Sequence, residues 1–127
     1  MIRGVLAAEF ESRQSEFMPH LERAARHDRF GETAEEIADG ILSRRYQLWE
    51  LGEYGIALTI VHRDAVQLLW AVGRDRHEWQ DHLDNALRQW AQALGKPRLI
   101  VIARPGWAKL AKSLGYKEVQ RTYEVRL

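Results

Sequence analysis

Four side chains able to bind a metal ion stand close together at His77, Glu78, Asp81 and His82. On a helix, residues four apart share a face, so His77 groups with Asp81 and Glu78 with His82. This spacing splits the ligands between adjacent faces. It departs from His-Glu-x-x-His, in which both histidines meet one ion. The segment therefore reads as solvated helix surface, and no metal site is expected. His20 and His27 fall on another helical stretch without a third ligand. Ser12, Ser15 and Ser43 lie in helical context and Ser113 at a helix end. No Gly-x-Ser-x-Gly elbow is present, which argues against a serine hydrolase. A Gly-x-x-x-x-Gly-Lys phosphate loop is also missing. With no cysteine in the chain, disulfides, thiolate zinc sites and cysteine nucleophiles are excluded.

The elements that must position any site follow from hydrophobic periodicity. Residues 1–6 suggest a short strand. Residues 9–28 read as helical, with Phe10, Phe17, Leu21, Ala24 and Ala25 near helical spacing. Pro19 inside that stretch removes a donor and clashes with the preceding turn, so a kink or two short helices is expected there, with Ser15 as a weak cap. Arg29, Phe30 and Gly31 make a break. Thr33 and Glu36 have capping-box spacing and open a helix running to Arg44 or Arg45, with Ile37, Ala38, Ile41 and Leu42 on one face.

The period then changes to two. Residues 46–51, 56–62 and 65–72 read as three strands of an antiparallel meander, turning at residues 52–55 and at Arg63 and Asp64. Gly73 ends the meander. Residues 76–94 carry one broad apolar stripe through Trp79, Leu83, Ala86, Leu87, Trp90 and Leu94, and Gly95 and Pro97 stop that helix. Residues 98–103 form a buried-looking strand, Arg104 to Gly106 a turn, and residues 107–114 a short helix ended by Gly115. Residues 116–127 are expected to add one or two strands, with Tyr123, Val125 and Leu127 alternating. The strand–helix–strand unit over residues 65–103 implies a parallel crossover in a mixed α/β sheet.

The chain has 127 residues, a length that suggests a single domain over residues 1–127. It is 46% apolar and 29% charged, ordinary globular values. No apolar run approaches the roughly 20 residues of a membrane span, and Glu9 arrives too early for a signal peptide. Lys and Arg number 19 against 18 Asp and Glu, a balance that does not point to nucleic acid. Arg23, Arg26, Arg29, Arg44 and Arg45 interleave with Glu22, Asp28, Glu32, Glu35 and Glu36, as on a mixed solvated surface. The expected location is cytoplasmic and reducing. Five tryptophans serve either as core filling or as interface anchors. Both alternation phases of the meander are apolar around Trp49 and Trp70, so the sheet should be covered on both faces, one of them open to a partner chain.

This order of elements resembles the GNAT superfamily of acyl-CoA-dependent N-acyltransferases. The strand at Leu99–Ala103, the helix from Trp107 and the closing Leu114, Gly115 and Tyr116 are similar to that family's fifth strand, short helix and terminal Leu-Gly-Phe/Tyr signature. Residues 65–94 resemble the strand and helix between which acetyl-CoA is cradled. The resemblance implies acetyl-CoA as cofactor, with backbone groups of Leu69, Trp70, Ala71 and Val72 along the pantetheine and the turn of Gly73, Arg74 and Arg76 at the diphosphate. It implies a general base on the central strands, for which Glu50 and Tyr54 are the candidates, Glu53 lying between them.

The chain departs from the family pattern at two points. The family turn reads Gln/Arg-x-x-Gly-x-Gly/Ala, since glycines let the backbone approach the phosphates. Here only Gly73 is present, with Asp75 and Glu78 close by. The family's acid, a tyrosine four residues before the terminal glycine, corresponds to Ala111, and an asparagine seven residues earlier corresponds to Arg104. The helical N-terminal third, the Trp-bearing strand with an arginine-containing turn and the closing helix are similar to GNAT-like bacteriophage proteins, among them small internal virion proteins of short-tailed phages. The reading is therefore an α/β GNAT-like protein with a degenerate acetyl-CoA turn. Its expected role is a non-catalytic binding or structural component, assembled into a phage particle or meeting a protein partner or a second copy through Trp-bearing surfaces. The alternative is an active acetyl-CoA-dependent N-acyltransferase on an amine.

Overall fold

The computed structural model describes residues 1–29, 31–103 and 105–127. Phe30 and Arg104, read above as part of a break and as the counterpart of a family asparagine, lie outside the described residues. The elements are β1 (Ile2–Val5), α1 (Ala7–Ser12), α2 (Gln14–Ala25), α3 (Ala34–Leu42), β2 (Tyr46–Leu51), β3 (Gly55–Val61), β4 (Ala65–Gly73), α4 (Arg76–Ala93), β5 (Arg98–Val101) and α5 (Ala108–Ser113). A single turn of 3-10 helix over Pro105–Trp107 leads into α5. The sheet runs β1-β2-β3-β4-β5. Its first four strands pair antiparallel, and β5 joins β4 in parallel, as the crossover reading required.

Both faces of the sheet are covered by the chain's own helices, so the expectation of one face open to a partner chain does not hold. On one face Phe10 of α1, Phe17 and Leu21 of α2, and Ile37 and Ile41 of α3 pack on Leu48, Ile56 and Leu58. On the other face Trp79, Leu83 and Leu87 of α4 pack on Trp49, Leu51 and Ala57. Trp49 and Trp79 thus fill the core. Trp49 donates its indole N–H to Thr59 Oγ1 at 3.0 Å, which satisfies a polar atom carried into an apolar layer.

Thr33 and Glu36 close the expected capping box, each side chain accepting from the other residue's backbone N–H. The helix they open ends at Leu42, two residues early, because Arg44 takes a left-handed conformation with φ 66°. The N-terminal helical stretch does divide, but at Arg13 rather than Pro19. Pro19 lies within α2, and Ser15 caps nothing, since the residue before α2 is Arg13 without a side-chain cap. Arg13 leaves helical geometry at φ −114°, where its guanidinium reaches Glu9, Glu16 and Glu50. Phe10 and Phe17, on either side of the break, still stack at 5.8 Å.

The expected last strands do not form. Residues 117–127 have no regular structure and are exposed throughout. The alternation at Tyr123, Val125 and Leu127 is a real strand pattern, but within one chain it finds no ladder to join. Among the described residues, no helix is long and apolar enough to cross a membrane.

Candidate functional site

The site is framed by a parting of two strands. β4 pairs with β5 only from Ala65–Arg98 to Leu68–Val101, then runs on to Gly73 with β3 as its one partner. A bulge marks the parting. Leu58 pairs with Trp70 and Thr59 with Leu68, which leaves Leu69 as the extra residue. Leu69 and Trp70 consequently both pack toward the α1–α3 layer, while Leu68 and Ala71 pack toward α4. A bulge bends its strand and ends regular pairing. Here it turns residues 69–73 away from β5 and leaves one side of their backbone without a strand neighbour. Leu69, Trp70, Ala71 and Val72 are therefore brought together along one open edge.

At the end of that edge, Gly73 leads into α4 through Arg74 and Asp75. Asp75 adopts left-handed geometry, φ 51° and ψ 53°. Its carboxylate meets the Arg74 guanidinium at 2.9 Å. Arg74 also faces Glu53 at 3.7 Å and lies over the Tyr54 ring at 4.9 Å. Its backbone N–H donates to Tyr54 O, and its carbonyl accepts the Trp79 indole N–H. Arg76 stacks over Trp107 at 4.3 Å, which links the start of α4 to the turn beyond β5. Both cations of the candidate turn thus have partners within the protein.

The N-terminus of an 18-residue helix favours an anion. At α4 that preference is met by the chain's own acids, Asp75 before the first turn and Glu78 within it. A diphosphate placed here would stand close to the charges of Asp75 and Glu78, which oppose the attraction of the helix amides. The charge of the turn therefore disfavours a diphosphate, while the β4 edge leaves backbone groups unpaired by a strand.

Beneath the Arg76–Trp107 stack lies a cavity of about 70 Å³ between α4, α5 and the parted strands. Its walls are mostly apolar, with Leu68, Ala71, Leu83, Val101 and Leu110 among them. Ala111 stands on this wall and supplies no proton. The polar groups are Gln80, Asp84 and Tyr116. Tyr116 donates to Asp84 Oδ1 at 2.6 Å, and Arg88 holds the same carboxylate at 2.9 Å. Burial, then the bond to Asp84, pushes the Tyr116 phenol well above its ordinary range. Among the described residues, the buried Gln80 Oε1 has no hydrogen-bond partner. The sequence reading noticed Tyr116 only as part of the closing signature and passed over Asp84. The available signal was the i,i+4 spacing of Gln80, Asp84 and Arg88, which places them on one face of α4.

Glu50 and Tyr54 sit apart from this cavity. Glu50 accepts from Arg13 and Arg3, and these bonds, that to Arg13 foremost, hold its carboxyl below the usual range. It lies in a second cleft with Glu16, Glu53 and His20, between α2 and the β2–β3 turn. The carboxylates of this cleft are paired, Glu16 and Glu50 with Arg13 and Glu53 with Arg74. A carboxylate already bound by two guanidiniums is a poor proton acceptor, which bears directly on Glu50 as a base. Tyr54 serves by its carbonyl and by its ring under Arg74.

The other reactive types are structural or exposed. Ser12, Ser43 and Ser113 donate to carbonyls of their own helices. His77 and Glu78 contact at 3.4 Å on open surface. Among the described residues, no group of three or more His, Asp or Glu side chains is arranged to hold a metal ion.

No protein-family model matches the chain, and no curated protein sequence matches it. Solved structures do. A ribosomal-protein-alanine N-acetyltransferase from Brucella melitensis biovar Abortus 2308 matches with a TM-score of 0.72 at 14% identity, over 100% of this chain and 98% of that one. A Trypanosoma brucei acetyltransferase matches with a TM-score of 0.68 at 14% identity, over 100% and 99%. AAC(6')-Iy in complex with a bisubstrate analogue, CoA-S-monomethyl-acetylneamine, matches with a TM-score of 0.65 at 17% identity, over 100% and 97%. At these identities the likeness establishes the fold.

Proposed function

We propose that this chain, which has the fold of the GNAT acetyltransferases, works as a protein-binding or structural component and not as an acetyl-transfer catalyst. The observation that carries the reading is Asp75. Its carboxylate adds a negative charge at the start of α4, where a phosphate would bind, while Arg74 is paired with Asp75 and Arg76 is stacked on Trp107. Two further features support it. Ala111 occupies the position of the family's acid, and the carboxylate of Glu50 is bound by Arg13 and Arg3. The sequence resemblance to GNAT-like phage proteins supports a role in an assembled particle. Trp70 and Trp107, both half-buried, are the tryptophans through which a protein partner would anchor.

A second reading rests on the open β4 edge: an acetyl-CoA-dependent N-acyltransferase with an atypical turn. Calorimetric titration with acetyl-CoA, with desulfo-CoA and free CoA as controls, separates the two. The expected result is no heat and no thermal stabilisation at millimolar ligand. Micromolar binding that is weakened by Arg74→Glu with Arg76→Glu would overturn the first reading and establish the turn as a cofactor site.

A further inference from the structure

Residues 107–116 run from Trp107 through α5 to Tyr116 and form one wall of the cavity beside α4. None of the six residues of α5 is buried. Leu110, Ala111 and Leu114 line the cavity and stay half-buried. A wall that removes so little apolar surface from water gains little from the hydrophobic effect. Its hold comes instead from polar and ring contacts with α4.

Those contacts stand at opposite ends of the segment. At its start, the Arg76 guanidinium lies over the Trp107 ring at 4.3 Å. At its end, Arg88 Nη2 donates to Leu114 O at 2.6 Å, and the Tyr116 hydroxyl donates to Asp84 Oδ1 at 2.6 Å. Arg88 also lies over the Tyr116 ring at 4.9 Å. Arg76 and Arg88 both belong to α4 and stand about 18 Å apart along its axis. One helix therefore fixes both ends. Among the described residues, the ion pairs and side-chain hydrogen bonds of residues 117–127 stay within that tail. On the other side, β5 ends at Val101, and beyond it Ile102 N–H still donates to Leu68 O at 3.5 Å.

We infer that residues 107–116 are a strap that swings away from α4 as one unit while the sheet stays closed, with Arg76 and Arg88 as the two pins that keep it shut. Regions with few buried apolar contacts open at lower free energy than the core. Opening here breaks the contacts just described and parts no strand. It exposes the cavity walls at Leu68, Ala71 and Leu83 to solvent. Any group that enters this cavity through the opened wall pays the cost of opening, so its apparent affinity falls with the closed population. The strap depends on contacts within the chain, and it holds whether or not acetyl-CoA binds.

The test is native-state hydrogen exchange of the full chain, read by NMR at the bonded amides of Leu114, Gly115 and Tyr116 and at those of β3. The expected wild-type result is one common protection for the three strap amides, clearly weaker than that of β3. Arg88→Ala should speed all three about tenfold, as for a lost charged hydrogen bond. Arg76→Ala, at the far end, should speed the same three about threefold, as for a lost cation–π contact. Ile37→Val, in the core on the opposite face of the sheet, should speed β3 severalfold and leave the strap amides unchanged. Strap protection equal to that of β3, or a strap speeded by Ile37→Val, would overturn the inference, since the segment then opens only with the whole fold. Strap amides without protection in the wild type would overturn it by leaving the pins nothing to hold. Unchanged strap exchange in Arg76→Ala would do so too, because the two ends then move independently.

Discussion

Gly55 and Gly73 face each other across the end of the β3–β4 ladder, each filling the space that a Cβ on the other would need. A Cβ on Gly55 would come within 2.6 Å of Gly73 Cα, and one on Gly73 within 2.5 Å of Tyr54 O and 2.9 Å of Gly55 Cα. These are backbone atoms, so no rotamer change relieves the contact. The close approach brings Tyr54 O to the Arg74 N–H at 3.0 Å and so fixes the turn that opens α4.

Alanine at either position must part the strand ends. Gly55→Ala and Gly73→Ala are each expected to destabilise by roughly 1–3 kcal/mol, the range for overpacking a fitted interior. Urea denaturation measures the effect. A loss below about 0.5 kcal/mol, typical of an indifferent surface change, would mean that the strand ends move apart freely.

Asp75 is held at φ 51° without a side-chain cap. A left-handed residue with a Cβ costs about 1–2 kcal/mol, less for aspartate than for most. Asp75→Ala is therefore expected to lower stability by about 1 kcal/mol, and Asp75→Gly to keep it near wild type. Asp75→Gly also removes a negative charge from the start of α4. In calorimetric titration with millimolar CoA it should give a binding heat where the parent gives none. No heat from either protein would clear Asp75 as the obstacle.

The cluster of Arg3, Glu9, Arg13 and Glu50 joins β1, α1 and β2. Bonds to Arg3 and then Arg13 pull the Glu9 carboxyl down to about 2, and Glu50 is lowered by Arg13 and Arg3. A carboxyl with a lowered folded value contributes its stability above the unfolded value, 4.5 here, and loses it as the pH falls toward the folded one. The wild type should thus lose more of its urea midpoint between pH 7 and pH 3 than Glu9→Gln with Glu50→Gln does. Parallel loss in both proteins would show that the cluster contributes nothing to acid sensitivity.

Much of the fold was legible because it is written in local pattern. The Thr33–Glu36 box, the three-strand meander, the stripe of α4 and the order of elements each depend on residues close in sequence. Their spacing alone selects helix or strand. The strand that carries Leu69, Trp70, Ala71 and Val72 was legible in the same way. What needed the tertiary structure depends on residues far apart. The bulge at Leu69 arises where β3 and β4 change register. The Arg76–Trp107 stack joins α4 to the turn after β5, and the Tyr116–Asp84 bond joins the end of the chain to the middle of α4. Residues 117–127 state the distinction most directly. Alternation specifies that they can be a strand, but a strand exists only where another offers its edge, and the neighbour is decided by tertiary geometry.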